Sequence, residues 1–362
     1  MSRHGAIASS FALALLAAGL TVAPAQADDG DRAAAPKATT LAKGLLSPLS
    51  LAVSEDGTVY AAQNFAGMLM KIASGGKSVP VYQAKKKGTE VGAVSEHRGS
   101  LRFATTKGRK ALLWGVGGSG KAVKLADLGA FEKKKNPDAD VAYGFQGLDP
   151  ACAAQIPEEI PAAYTGIVES HPYATAMRRG TTYVADAAGN DIVEVTPKGK
   201  VKALAVLPAV PVVVTAEIAA GSQMPACVVG KTYNFESVPT DVELGPDGKL
   251  YVSTLTGGPE DGSTGAQSKV YRINRKTGAT KLVAEGLMSA VGLAVARNGD
   301  LYVSQLFPGQ VSRIKKGSSV AKPWFSAKMT GDVEWSRRGL HLTTDVLPPE
   351  KGKPNGKVVH LR

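Results

Sequence analysis

Two stretches decide the reading: LAKGLLSPLSLAVSEDGTVYAAQ, Leu41 to Gln63, and VAEGLMSAVGLAVARNGDLYVSQ, Val283 to Gln305. At a constant offset of 242 residues, ten of their 23 positions are identical. A third copy of the same unit is PTDVELGPDGKLYVS, Pro239 to Ser253. Weaker copies run from Leu101 to Trp114, Tyr173 to Asp186 and Val333 to Asp345. Each sets a glycine between two short apolar runs: Gly57, Gly108, Gly180, Gly248, Gly299 and Gly339. Asp-Gly and Asn-Gly between alternating runs are hairpin signals, because the turn needs a left-handed backbone that glycine adopts without strain.

Further strands follow each hairpin. Met68 to Ile72 and Val79 to Tyr82 follow the first, and Gln310 to Ile314 and Lys322 to Phe325 follow the fifth. The unit is therefore a four-stranded antiparallel meander. Turn glycines recur at intervals of 51, 72, 68, 51 and 40 residues, the spacing of propeller blades with two copies enlarged by insertions. The expected fold is all-β, a six-bladed β-propeller. The last copy reaches Arg362 after three strands, so Thr39 to Leu45, which aligns with Lys281 to Leu287, is expected to supply the fourth beside Lys357 to Leu361. That closes the ring and removes the unpaired edges an open array exposes.

Composition agrees. The 362 residues include 41 glycines and 21 prolines, about 17 % of the chain against about 12 % in average usage, as a turn-rich β architecture requires. Charged residues are 20 % and hydrophobics 44 %, which excludes a disordered chain or coiled coil. Arg3 and His4 precede an apolar run from Ala6 to Val22 that ends in Ala25-Gln26-Ala27, so residues 1–27 read as a cleaved Sec signal peptide and residues 28–38 as a disordered leader. The propeller spans residues 39–362, secreted and without a transmembrane segment. In an exported chain the two cysteines, Cys152 and Cys227, are expected to pair. They lie in two insertions, roughly Gly129 to Ser170 and Pro208 to Val238, that flank the third blade on one face. Tyr143, Phe145, Tyr164, Tyr233 and Phe235 supply apolar matter there for a rim or lid over the channel.

Meander topology turns sequence position into face position. Loops between blades and between second and third strands share a first face; the other turns share a second. The formal net charge is +12, and the turns assigned to the second face are basic: Arg178, Arg179, Lys315, Lys316, Arg337 and Arg338, with Lys107, Arg109 and Lys110 from the second copy. Such a face fits an anionic wall polymer. Nucleic acid is not expected, because nothing interleaves aromatic residues with these charges. The first face collects acids, and around its channel mouth Glu169, His171, Tyr173, Asp186, Asn190, Glu236, Asp241 and Asp332 form the candidate ligand-binding set. His171 beside Glu169 has the chemistry for acid–base work, and Asp-Ala-Ala-Gly-Asn, Asp186 to Asn190, also suits a tight turn. No nucleophile elbow, zinc-type histidine pair or phosphate loop is present in the sequence; GVGGSG, Gly115 to Gly120, reads as a strand turn.

At YVADAAGNDIVEVTPKGKV, Tyr183 to Val201, VPTDVELGPDGKLYVSTLTGGP, Val238 to Pro259, and LFPGQVSRI, Leu306 to Ile314, the chain resembles the ScyD/ScyE family of exported bacterial proteins. ESHPYA, Glu169 to Ala174, belongs to the same resemblance. It implies an exported, NHL-like propeller and no particular reaction. The fold is also similar to that of gluconolactonases, calcium-dependent lactone hydrolases. Their metal-binding positions fall here on Tyr173 and Thr240, poor ligands for a hard cation, with Asp241, Glu236, Glu169 and Asp186 as the available oxygens. The expectation is a non-enzymatic binding or scaffold protein with a small-molecule or envelope partner and no resident cofactor. The alternative is a metal-dependent lactonase-like hydrolase holding calcium at the channel mouth.

Overall fold

The computed structural model describes residues 36–73, 77–259 and 263–362. The expected signal peptide, most of the leader, and the first-face acids Glu260 and Asp261 lie outside the described residues. Among the described residues there are seven four-stranded antiparallel sheets. Six follow the meander: blade 1 spans 50–83, blade 2 spans 90–127, blade 3 spans 172–206, blade 4 spans 237–287, blade 5 spans 290–326 and blade 6 spans 333–361. Their first strands touch in chain order, and the first strand of blade 6, Val333–Ser336, returns to that of blade 1, Ser50–Val53, closing a ring. The fourth strand of blade 6 is Ala38–Leu45, paired antiparallel with Gly356–Leu361. Lys37 already exchanges two backbone hydrogen bonds with Arg362, so pairing begins inside the segment expected to be leader.

Equivalent residues of the repeats do equivalent work. Gln63 and Gln305 each accept the backbone N–H of the residue entering their blade, Leu46 and Met288, at 2.7 Å. At the hairpin tips Asp56, Asp247 and Asn298 each accept the N–H two residues on, which fixes the turn before its glycine. The core is a series of apolar layers between neighbouring blades. Phe103, Leu69 and Val91 pack between blades 1 and 2; Ile192, Val252 and Ile273 pack between blades 3 and 4. Each buried Leu, Ile or Phe contributes roughly 1.5–3 kcal/mol of transfer free energy, so stability is spread around the ring.

Two expectations are corrected. The second blade begins one strand earlier than its repeat glycine suggests: the turn between its first two strands, Glu90–His97 and Ser100–Lys107, is Arg98-Gly99, and Gly108 joins its second strand to its third, Lys110–Val116. Both hairpins of this blade carry a basic-Gly turn, and periodicity alone does not separate them. Lys107, Arg109 and Lys110 therefore lie on the first face, where the Lys107 ammonium donates to the Lys87 carbonyl at 2.6 Å. The two faces are thus less sharply divided in charge than expected. Second, the insertions form a seventh sheet of their own. Its order is Ala163–Thr165, Ala142–Phe145, Thr232–Phe235, Val210–Val213, so each insertion contributes two adjacent strands.

Candidate functional site

Alternation builds the inserted sheet. Tyr143 and Phe145 on one strand, and Tyr233 and Phe235 on its neighbour, place aromatic rings at every second position. Phe145 stands opposite Tyr233 with their rings edge to face at 4.9 Å, and Val212 and Val210 pair with Tyr233 and Phe235. The Cys152–Cys227 disulfide is formed, with α-carbons 6.0 Å apart, and Cys152 sits in a core with Ile156, Ile218 and Val228. The sheet is short, so this cross-link and its aromatic core hold the two insertions together.

Between the inserted sheet and the loop joining the second and third strands of blade 4 lies a cavity of about 430 Å³. Tyr164, Tyr233, Phe235 and Met224 give it apolar walls, Gly257-Gly258-Pro259 an outer edge, and Glu236 a carboxyl. Gly258 cannot carry a side chain there: its φ is +127°, and a β-carbon would meet the Phe235 ring at 2.4 Å. The Tyr233 hydroxyl donates to the Pro161 carbonyl at 3.0 Å, which fixes the ring and leaves its face on the cavity.

Glu236 is held near neutrality. Burial first, then the charge of Asp138, raise its carboxyl to about 7 against the hydrogen bonds it accepts from Tyr164 and Asn190. Behind it the polar network continues inward. The Asn190 amide donates to Asp138 Oδ2 at 3.0 Å, and the Tyr143 hydroxyl donates to the same oxygen at 3.2 Å. Burial raises Asp138 too, with these two donors pulling the other way. The cavity therefore offers a carboxyl that gives or takes a proton near pH 7, backed by a fixed chain of partners.

The structure divides the eight sequence-predicted residues. Glu236 faces the cavity, and Asn190 braces it from behind. Asp186 is buried and holds the turn, accepting from Ser170 Oγ at 2.5 Å, His171 N at 2.6 Å and Gly189 N at 3.3 Å. The turn reading of Asp-Ala-Ala-Gly-Asn is therefore met alongside any role in a site. His171 is half-buried, with Nε2 3.2 Å from Glu90 Oε2. Burial acts to keep its imidazole neutral, but the hydrogen bond and charge of Glu90, with Asp186 and Glu169, lift its pKa above the usual value. Glu169 is raised by burial, partly offset by His171 and Arg109; Tyr173 is half-buried on the first strand of blade 3.

Asp241 and Asp332 stand apart, in the channel wall. Asp241 Oδ2 accepts the Leu293 N–H at 2.6 Å, and Asp332 Oδ2 accepts the Leu51 N–H at 2.7 Å, each bridging to the next blade. The two carboxyls also feel each other across blade 5, where Gly292 leaves room. Burial raises both, Asp241 to about 7. Thr240 gives its hydroxyl to the Ala290 carbonyl at 2.8 Å. Among the described residues, no three His, Cys, Asp or Glu side chains stand together as a ready metal cage.

Sequence reasoning placed Glu90 among the first-face acids but did not single out Glu132 or Asp191. Glu132 carried a signal: it lies four residues after Leu128, and these two are the buried residues of the helix Leu128–Lys135.

No protein-family profile and no curated protein matches the chain. Solved structures do. A putative oxidoreductase (glucose dehydrogenase) of Thermus thermophilus matches with a TM-score of 0.56 at 14 % identity, over 90 % of this chain and 100 % of that one. The chain is a β-propeller. A gluconolactonase of Xanthomonas campestris matches this propeller with a TM-score of 0.54 at 12 % identity over 90 % of each chain. The PQQ-bound aldose sugar dehydrogenase of Streptomyces coelicolor matches with 0.53 at 12 % identity, over 91 % and 100 %. At these identities the likeness is one of fold.

Proposed function

We propose that this propeller is an exported, ScyD/ScyE-like binding protein that takes a small ligand with an aromatic or apolar body into the cavity beside Glu236. The observation that carries this reading is the cavity itself: Tyr164, Tyr233 and Phe235 line about 430 Å³ on the first face, with the Glu236 carboxyl placed to orient a polar end and Glu159 also on the lining. The disulfide and the amino-terminal apolar run support a site of action outside the cytoplasm. The test is a thermal-shift panel of small aromatic acids, alcohols and lactones. A class that stabilises the wild-type chain and loses its effect in Glu236→Gln or Phe235→Ala supports the reading, whereas equal shifts in all three place binding elsewhere.

A second reading is favoured by the near-neutral carboxyl. Glu236 fits a general acid–base in a lactone-opening or eliminating enzyme, with Tyr164 and Asn190 fixing its orientation. Turnover of an aromatic lactone such as dihydrocoumarin, with a pH dependence near 7 that Glu236→Gln abolishes, distinguishes catalysis from binding alone. A metal hydrolase centred on the channel has less support, because Thr240, Asp241 and Asp332 are engaged by the backbone of neighbouring blades. On the second face, Arg178, Arg179, Lys315, Lys316, Arg337 and Arg338 remain a surface for an anionic wall polymer.

A further inference from the structure

The chain has two Lys-Lys-Lys runs, Lys85 to Lys87 and Lys133 to Lys135, and the fold brings them to one corner of the first face. The first run lies in the loop that leads from blade 1 into blade 2, and the second ends the helix Leu128–Lys135. The hairpin that carries Lys107, Arg109 and Lys110 touches both elements. Its Lys107 ammonium donates to the Lys87 carbonyl at 2.6 Å, which fastens the hairpin to the first run. The helix packs on the same hairpin so closely that a β-carbon on Gly129 would meet the Arg109 carbonyl at 2.3 Å.

All nine cations are exposed, and among the described residues none has an ion-pair partner. Of the acids nearby, Glu90 is held by His171, Asp127 caps the helix through the Ala130 N–H, and Glu169 feels both His171 and Arg109. Asp140 is exposed after the helix. Lysines at a helix C-terminus complement its dipole, which accounts for Lys133 to Lys135 but not for Lys85 to Lys87 on a loop. A surface that serves solubility alone intersperses the two signs, whereas like charges collected in one place fit an anionic partner.

Apolar side chains flank the patch at both ends. Phe65, in the turn Asn64–Ala66 between the second and third strands of blade 1, is 41 % exposed. The Gly67 carbonyl just after this turn accepts the Ala84 N–H at 2.8 Å, which sets Phe65 beside the first lysine run. At the other end, Asn136 follows Lys135 and donates its side-chain amide to the Gly166 carbonyl at 2.9 Å, bringing the exposed Ile167 and Val168 beside the second run. A soluble polymer of sugars and phosphates offers these apolar tips nothing, while a bilayer interface takes cations and apolar tips together.

We propose that this corner of the first face docks on an anionic lipid bilayer, with the lysines and arginine against the headgroups and Phe65, Ile167 and Val168 at the acyl boundary. The contact is peripheral, and it does not depend on what the cavity beside Glu236 takes. Its strength comes from many weak charge contacts, so salt screens it.

The test is co-sedimentation of residues 28–362 with vesicles of phosphatidylcholine alone or with about 30 % phosphatidylglycerol. Binding is expected to the anionic vesicles only, and it should be lost by about 0.5 M salt, where the Debye length has fallen to a few ångströms. Lys85→Ser, Lys86→Ser and Lys87→Ser together should weaken it about a hundredfold, at roughly fivefold for each cation near an anionic surface. Phe65→Ser should weaken it about tenfold and leave retention on heparin unchanged. These positions are on exposed loops, and an unchanged unfolding temperature checks that the variants fold. Charge reversal at Lys315, Lys316, Arg337 and Arg338 on the second face removes more net charge and should leave vesicle binding intact. Phe307→Ser, in the equivalent loop of blade 5, should leave it intact too. No binding to the anionic vesicles, or full binding by the triple-lysine or Phe65 variant, overturns the proposal. Retention on heparin that needs Lys85 to Lys87 without vesicle binding puts a soluble polyanion in place of lipid, and loss on second-face reversal reduces the attraction to net charge.

Discussion

The Asp332 carboxylate accepts the Leu51 backbone N–H at 2.7 Å across 281 residues of sequence, joining the last blade to the first. Asp241 makes the same contact to Leu293, and Leu51 and Leu293 are themselves equivalent positions of the repeat. Each aspartate also accepts the N–H of its own following residue, Val333 or Val242. Replacing Asp332 with Ala leaves two buried N–H groups without acceptors, and the expected loss is about 2–4 kcal/mol in urea unfolding. Asp332→Asn keeps one acceptor and relieves repulsion with Asp241 and Glu334, so it should fall between Ala and wild type.

The repeats were legible because a hairpin glycine recurs in each blade, after Asp or Asn in three blades and after Arg in the other three, and is followed by an apolar run. The closing strand was legible from alignment of Thr39 to Leu45 with the end of blade 4. What the sequence hid was non-local. The inserted sheet pairs Gly144 with Asn234, and its strands are three or four residues long, too short for a period to show. In the candidate site, Glu236 and Asn190 could be picked out as exposed-face polar residues. Glu132 and Asp191 could not, because their importance comes from burial between an inserted helix and a blade.

The disulfide cross-links the two insertions rather than the ring. Reducing it, or Cys152→Ala with Cys227→Ala, should cost about 2–4 kcal/mol. Hydrogen exchange should quicken in the strands Ala142–Phe145 and Thr232–Phe235 while the blades keep their protection. Uniform loss of protection around the ring would show that the inserted sheet is integral to it.

Stability should depend on pH in a direction set by the raised acids. Glu236 at about 7 and Glu132 at about 8 bind protons in the native state that the unfolded chain, near its ordinary value of 4.5, has already released. Their contribution is therefore full below about pH 4.5 and lost as pH rises through 7 and 8. The urea midpoint should fall from pH 5 to pH 8, and Glu132→Gln should flatten that slope.

The basic turns of the second face give a separate expectation. Charge reversal at Lys315, Lys316, Arg337 and Arg338 should lower the salt concentration at which the protein leaves a heparin column, with thermal stability unchanged. The same elution after reversal would shift attention to the first-face cluster around Lys107, Arg109 and Lys133 to Lys135.

The cavity beside Glu236 is the centre of this account, and Gly258 gives the most direct access to it. At φ +127° and 2.4 Å from the Phe235 ring a β-carbon at position 258 has no room, so Gly258→Ala should disturb the Phe235 wall of the cavity while leaving the Glu236 side chain in place. The measurement is calorimetric binding of the best thermal-shift compound to wild type, Gly258→Ala and Glu236→Gln. The account predicts at least tenfold weaker binding in Gly258→Ala. In Glu236→Gln, any dependence of affinity on pH near 7 should disappear. Unchanged affinity in both variants would contradict it and place the ligand on another part of the propeller.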